Sequence, residues 1–318
     1  MKRKFYTGLS LFLLLVLVIT VAVKEYGAIT PGGRDEVALI YLEGEIVSDS
    51  MPGSPIFGGA LVSSVDIVEK MEKARKDGNI KAVILRVNSP GGSAAASQEL
   101  YNEVVRVVKE KPVVVSMGDV CASGGYYTSS PASYILANPS TLTGSIGVIS
   151  QFTNMSALMD KIGVSNLTLK SGAYKDVGSP YRPMTDAEKA MMQKMLDEVY
   201  AQFINDVAAG RKMKPEQVRK LAEGMVYNGS EAVKLKLVDG VGGLEEAKAK
   251  ARQLAKLPED AKVVVFETKR SMFDIFSLFG SRYSGGPFQS SLSLDYREPS
   301  ALQILASRML LCDIGGGR

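Results

Sequence analysis

The chain of 318 residues has no histidine and only two cysteines, Cys121 and Cys312. Without imidazole there is no Ser-His-Asp triad, no histidine-bound zinc centre and no histidine pH sensor. Two cysteines so far apart cannot build a disulfide scaffold, and they are too few to ligate a structural zinc. Any general base must therefore be Asp, Glu, Lys, Tyr or Cys. A concentrated basic surface is missing too. The net charge is +4, and Lys2, Arg3 and Lys4 supply three of those charges. Nucleic acid is not an expected partner. No repeat with a period of 20–50 residues is visible, and no G-x-x-x-x-G-K-[ST] loop is present. No cofactor or metal is expected.

Charge is likewise absent from Phe5 to Val23, 19 residues that follow the basic start MKRK. A bilayer span needs about 20 apolar residues at about 1.5 Å of rise each. The alternative is a cleaved signal peptide, whose apolar core usually runs about 7–15 residues to a small-x-small exit. This run is longer, TVAVKE offers no such exit, and no lipobox cysteine follows. The expectation is an uncleaved signal anchor. The basic cluster before it keeps the N-terminus in the cytoplasm and sends the rest of the chain across the membrane.

What is present beyond the anchor is an alternation of apolar runs and amphipathic blocks. KEYGAITPGGRDE (24–36) is a polar tether. VALIYLEGEI (37–46) reads as a strand, PGSPIFGGA (52–60) as a loop, and SSVDIVEKMEKARKDG (63–78) as a helix stopped at Gly78. KAVILRVNSPGG (81–92) and PVVVSMGDV (112–120) are continuous apolar runs, the pattern of buried parallel strands, with a helix at 97–111 between them. YILANPSTLTGSIGVI continues the alternation, followed by a short helix near Asn154–Ile162 and the block SNLTLKSG. Thr185-x-x-Glu188 is a capping box that opens a long helix to about Ala208. Further helices are expected at 214–224, with Pro215 at a first helical position, and at 244–257, before a last strand at 263–267. The order implies a layered α/β fold on a parallel sheet. The Ser-, Gly- and Phe-rich stretch from residue 270 lacks periodicity until Ala301–Leu311 and reads as a mobile extension.

Four features carry possible chemistry. Asn88-Ser89-Pro90-Gly91-Gly92-Ser93 follows a buried strand; it is a turn, a phosphate cradle or a holder for a developing oxyanion. Ser123, in MGDVCASGGYYTSS, is a packing residue, a helix cap or a nucleophile outside the G-x-S-x-G elbow. Lys175, in KSGAYKD, is a solvated charge or a base. Thr141-Leu142-Thr143-Gly144-Ser145-Ile146-Gly147 is a polar turn or a further part of a site.

With histidine absent, a Ser-Lys pair is the familiar way to activate a serine. Lysine ordinarily titrates near 10.4, so a base working near neutrality must be shifted by about 3 units, on the order of 4 kcal/mol against the ammonium. Burial in an apolar wall supplies shifts of that size. A nearby carboxylate opposes them, so the Asp176 side chain is expected to point away from the pair. A neighbouring hydroxyl, plausibly Ser145, would orient the neutral amine.

C-A-S-G-G-Y-Y, S-P-G-G, T-L-T-G-S-I-G-V and S-G-x-x-K-D resemble, in the family's own order, motifs of the signal peptide peptidase A family of serine proteases. The resemblance runs from about Val37 to Lys250. It implies a ClpP/crotonase-like layered fold with a parallel sheet, preceded by one transmembrane helix. The implied catalytic residues are Ser123 as nucleophile and Lys175 as base, with Ser145 orienting the lysine and Gly92 and Gly124 forming the oxyanion hole. The implied domains are a stub and anchor at 1–24, a linker at 25–36, a protease domain at 37–268 and an extension at 269–318. The implied partners are signal-peptide remnants and other unfolded hydrophobic peptides, the membrane, and further copies of the chain in a ring that completes each dyad between neighbours. Each protomer alone is then expected to hold the two side chains too far apart to bond. A crotonase-like acyl-CoA enzyme and a non-catalytic peptide-binding or ring-forming scaffold are the competing readings. Cys121 departs from the family pattern and is expected to be a buried structural residue.

Overall fold

The computed structural model describes residues 35–49 and 61–266. The expected anchor, the loop at 52–60 and the extension from residue 270 lie outside the described residues. Among the described residues, no helix is long and apolar enough to cross a membrane.

The chain from Glu36 to Phe266 belongs to one compact unit. Its elements run β1 (Glu36–Glu43), β2 (Glu45–Val47), β3 (Leu61–Ser63), α1 (Ser64–Lys76), β4 (Ile80–Ser89), α2 (Ala94–Val108), β5 (Val113–Ala122), α3 (Gly124–Ser129), β6 (Tyr134–Ala137), β7 (Leu142–Gly144), α4 (Ser156–Lys161), α5 (Asp186–Arg211), α6 (Pro215–Arg219), β8 (Val226–Asn228), α7 (Gly229–Lys234), β9 (Gly240–Val241), α8 (Leu244–Leu254) and β10 (Val263–Val265). The main sheet has the order β10-β1-β4-β5-β6-β9, with β7 beside the end of β5 and β8 beside β7. Its pairings are parallel except β7 with β8. β2 and β3 form a second, two-stranded parallel sheet.

Period-two alternation divides the strand side chains between two cores. Ala38, Ile40 and Leu42 of β1 and Val83, Leu85 and Val87 of β4 pack with Met71 of α1, Leu100 of α2 and Ile204 of α5. Val37, Leu39, Ala82 and Ile84 face the other way, onto Ala247 and Ala251 of α8. Both faces are covered, which is why the central strands read as unbroken apolar runs. Burying each Leu, Ile or Val contributes about 1.5–3 kcal/mol.

Several expectations shift in detail. The strand expected over 37–46 breaks at Gly44, whose φ of 105° turns the chain from β1 into the second sheet. The helix expected over 214–224 is only the five residues of α6. SNLTLKSG forms no regular element, and Leu167 and Leu169 are 85% and 87% exposed. The capping box is present: Glu188 N–H donates to Thr185 Oγ1 at 3.2 Å, and Thr185 N–H donates to Glu188 Oε2 at 2.8 Å.

Tyr126 of α3 is fully buried and donates to the Leu237 carbonyl at 2.9 Å, tying the helix behind Ser123 to the turn that follows α7. Tyr126→Phe removes that donor and leaves a buried carbonyl. Urea denaturation should show a loss of about 1–2 kcal/mol; unchanged stability would mean that the tie carries no weight.

Candidate active site

Ser123 is placed by the divergence of β5 from β4. Between the pairs Val87–Met117 and Ser89–Cys121, β5 advances four residues while β4 advances two. Asn88 fills this bulge: its Oδ1 accepts from Val120 N–H at 3.1 Å, and a Cβ on Gly118 would meet it at 2.9 Å. A bulge bends its strand and re-aims the residues beyond it. The released end of β5 pairs instead with β7, Val120 to Ala122 against Leu142 to Gly144. Ser123 N–H continues the ladder by donating to Gly144 O at 2.8 Å. Ser123 and Ser145 therefore sit side by side, one residue beyond the ends of two paired parallel strands.

Both serines have left-handed backbone, with φ of 55° at Ser123 and 49° at Ser145. Ser123 stands at the N-terminus of α3 yet makes no side-chain cap. Its residue is 0% exposed, and its Oγ has no hydrogen-bond partner. Packing and capping thus leave this hydroxyl unexplained. Sparse backbone conformations cost about 1–3 kcal/mol each and cluster where chemistry is done.

The Gly91-Gly92 loop closes directly over this serine. A Cβ on Gly91, at φ 111°, would lie 2.8 Å from Gly124 N and 2.9 Å from the Ser123 Cβ. A Cβ on Gly92 would lie 2.1 Å from the Ile46 carbonyl oxygen. Ile46 N–H donates to Gly91 O and Ser93 N–H to Ile46 O, each at 2.8 Å, so by alternation the Gly92 N–H faces away from that pairing. The Gly124 N–H, first in α3, has no intrahelical acceptor. The structure therefore brings Ser123, Gly92, Gly124 and Ser145 to one place.

Ser123 and Ser145 open on a cleft of about 540 Å³, walled by Leu196, Asp197 and Tyr200 of α5 and by Ala222 to Gly224. Val148 lines both this cleft and an apolar pocket of about 200 Å³ that also includes Ala94, Tyr127, Val199 and Phe203. The threonines of the TLTG stretch are structural. Thr141 Oγ1 donates to Gly118 O and Thr143 Oγ1 to Cys121 O, each at 2.7 Å, stitching β7 to β5. Cys121 is buried with Sγ 3.4 Å from Ser129 Oγ, and burial pushes its thiol up to about 12. An inert packing cysteine is what the sequence led us to expect.

Lys175 is not brought to this place within the chain. It lies exposed on a turn, its N–H donating to Gly172 O at 3.3 Å, and it does not line the cleft. Its neighbour Asp176 is fully engaged. Arg182 Nε and Nη2 each donate to the Asp176 carboxylate at 2.7 Å, and Lys170 Nζ donates to the same group. Arg182 also forks onto Glu188, at 2.9 and 2.6 Å. Hydrogen bonds from Arg182, then Lys170, hold the Asp176 carboxyl well below its ordinary range. Arg182, then the Thr185 backbone, lower Glu188 to about 2. The sequence reading identified Glu188 as a cap but missed Arg182. The one available signal was an arginine six residues from each of two carboxylates.

Comparison with known proteins gives this arrangement a context. The profile of Peptidase family S49 matches residues 106–258. A Methanocaldococcus jannaschii protein named as a candidate protease is 37% identical over 290 residues, covering 89% of this chain and 91% of that protein. The chloroplastic serine protease SPPA of Arabidopsis thaliana is 36% identical over 267 residues, and Protease 4 of Salmonella typhi is 40% identical over 240 residues. The alignments cover 83% and 74% of this chain but only 39% and 37% of those two longer proteins.

The strain at Ser123 is directly measurable. Glycine accepts positive φ without penalty, whereas alanine does not. Ser123→Gly should be more stable than Ser123→Ala by about 1 kcal/mol in denaturant unfolding, with the hydroxyl gone from both. Equal stabilities, or a more stable alanine variant, would show that this backbone is unstrained.

Proposed function

The chain belongs to peptidase family S49, the signal peptide peptidase A family, and from that membership we propose that it is a membrane-anchored serine endopeptidase working through a Ser123–Lys175 dyad. The observation that carries the proposal is the Ser123 hydroxyl: buried, unbonded, on strained backbone, and packed against the Gly91-Gly92 loop. The architecture that holds it is of the ClpP/crotonase-like kind, a view supported by the parallel sheet, the small second sheet and the Gly-Gly loop over the reacting residue.

Neutral Lys175 takes the Ser123 proton as Oγ attacks a peptide carbonyl. The Gly92 and Gly124 N–H groups hold the oxyanion, where losing one such donor typically costs about 2.7–4 kcal/mol of barrier. The lysine ammonium then protonates the leaving amine, and water resolves the acyl-enzyme. Ser145, beside Ser123 in the cleft, orients the amine.

Lys175 lies outside the cleft of its own chain, which supports a dyad completed by a second copy. The segment from α4 to the Lys175 turn supports the same view. Leu158, Ile162, Leu167 and Leu169 are 56%, 62%, 85% and 87% exposed there, an apolar surface suited to a neighbouring protomer. In this reading a ring of copies encloses the sites and admits only unfolded chains. The run from Phe5 to Val23 anchors each protomer, with the catalytic domain outside the cytoplasm. Signal-peptide remnants and other unfolded hydrophobic peptides are then the substrates, and the apolar pocket beside the cleft suits small or aliphatic side chains. The same missing base favours one competing reading, a scaffold of this fold that binds peptides without cleaving them.

Hydrolysis of a fluorogenic hydrophobic peptide by the full chain separates the two readings. Ser123→Ala should abolish turnover. Lys175→Arg should lower kcat/KM by about 10²–10⁴, because a guanidinium cannot serve as the neutral base. Near-normal turnover by either variant refutes the dyad, and no turnover by the wild type selects the scaffold.

A further inference from the structure

An aspartate directly follows the residue read as the base, and a free carboxylate there would work against catalysis. It would stabilise the ammonium form of Lys175, which is the inactive form. The structure assigns a device that prevents this, and it rests on the reading of Lys175 as the base. We propose that Arg182 is a positioning residue: its guanidinium captures the Asp176 carboxylate and pins the Lys175 turn to the start of α5.

The geometry is specific. Arg182 presents Nε and Nη2 to Asp176, a fork matched to two carboxylate oxygens, with both distances 2.7 Å. Nη2 also reaches the Asp176 carbonyl at 3.3 Å, so the backbone of the turn is held as well as the side chain. Nη1 and Nη2 reach the two oxygens of Glu188, whose side chain is 3% exposed. Glu188 is itself fixed by the capping box at Thr185. The chain of contacts therefore runs from the rigid end of a 26-residue helix, through one guanidinium, to the residue beside Lys175. A lysine at 182 would keep the charge but lose the planar fork.

The charged groups around Asp176 are accounted for among the described residues. Lys170, on the same segment, and Arg182, on the approach to α5, pair with it, and Glu188 of α5 pairs with Arg182. Two cations and two carboxylates give a cluster with no net charge, so the Lys175 turn brings no uncompensated anion of its own to the cleft, whose wall holds Asp197 and Glu223.

The test is the pH profile of kcat/KM for the full-length enzyme, whose acid-side limb reports deprotonation of the base. In Arg182→Gln the Asp176 carboxylate loses its main partner, and the limb should move to higher pH by about one unit, a roughly tenfold loss below the limb. Asp176→Asn in the same background should bring the limb back. Arg182→Lys should keep the limb in place while lowering kcat, because the charge survives and the fork does not. A purely structural role would lower activity and stability without moving the limb. Should Arg182→Gln fail to fold, Lys170→Gln removes the other cation and should give a smaller shift in the same direction. An unmoved limb in a folded Arg182→Gln, or in Lys170→Gln where that variant decides, overturns the inference while Lys175→Ala, if inactive, leaves the dyad standing. A shifted limb that the added Asp176→Asn does not restore also overturns it. Activity in Lys175→Ala overturns the dyad and this inference together.

Discussion

One hydroxyl, buried at the floor of the cleft and without a protein partner, sets the terms for this structure. A buried polar group without a partner costs about 1–3 kcal/mol, and the left-handed backbone at Ser123 adds a cost of similar size. Such a residue persists only where its surroundings over-determine it. The surroundings here are the bulge at Asn88, the switch of β5 from β4 to β7, and the Gly-Gly loop that leaves no room for a Cβ. Together they fix the backbone on both sides of Ser123, which makes no side-chain cap.

The rest of the molecule divides into parts that hold this hydroxyl and a part that stands apart from it. The sheet, α3 and α5 bring Ser123, Ser145, Gly92 and Gly124 together beside the cleft. The segment from α4 to the start of α5 carries Lys175, exposes its leucines and is anchored by ions instead of by a core. Lys175, exposed in the single chain, acts as the proposed proton acceptor only if a second copy brings it to the cleft.

Much of this was legible in the sequence, for identifiable reasons. An apolar run such as KAVILRV, ended by Pro-Gly-Gly, is the pattern of a strand covered on both faces, and Thr185-x-x-Glu188 marked a helix start that the structure reproduces. The ordered motifs brought Ser123, Gly92, Gly124 and Ser145 together because all four lie at strand ends, where sequence order and spatial order coincide. What escaped the reading depends on register and on contacts across gaps. Periodicity cannot show that β5 runs two residues longer than β4 between paired positions. Nor does it show that VALIYLEGEI turns at Gly44, or that SNLTLKSG has no partner strand among the described residues. Arg182 escaped because arginine pairing is written in geometry, and its two carboxylates play other roles in the sequence pattern.

In the proposed dyad one chain supplies the hydroxyl and another the amine. Mixing the Ser123→Ala chain with the Lys175→Ala chain tests it most directly, since each is inactive alone. If neighbouring copies complete each other's sites, co-assembled protomers contain wild-type pairs at some interfaces, and a fraction of peptide hydrolysis returns with mixing. If the dyad forms within one chain, or does not form at all, the mixture stays as inactive as its components. Verified co-assembly without any recovery would rule out a dyad shared between neighbouring copies.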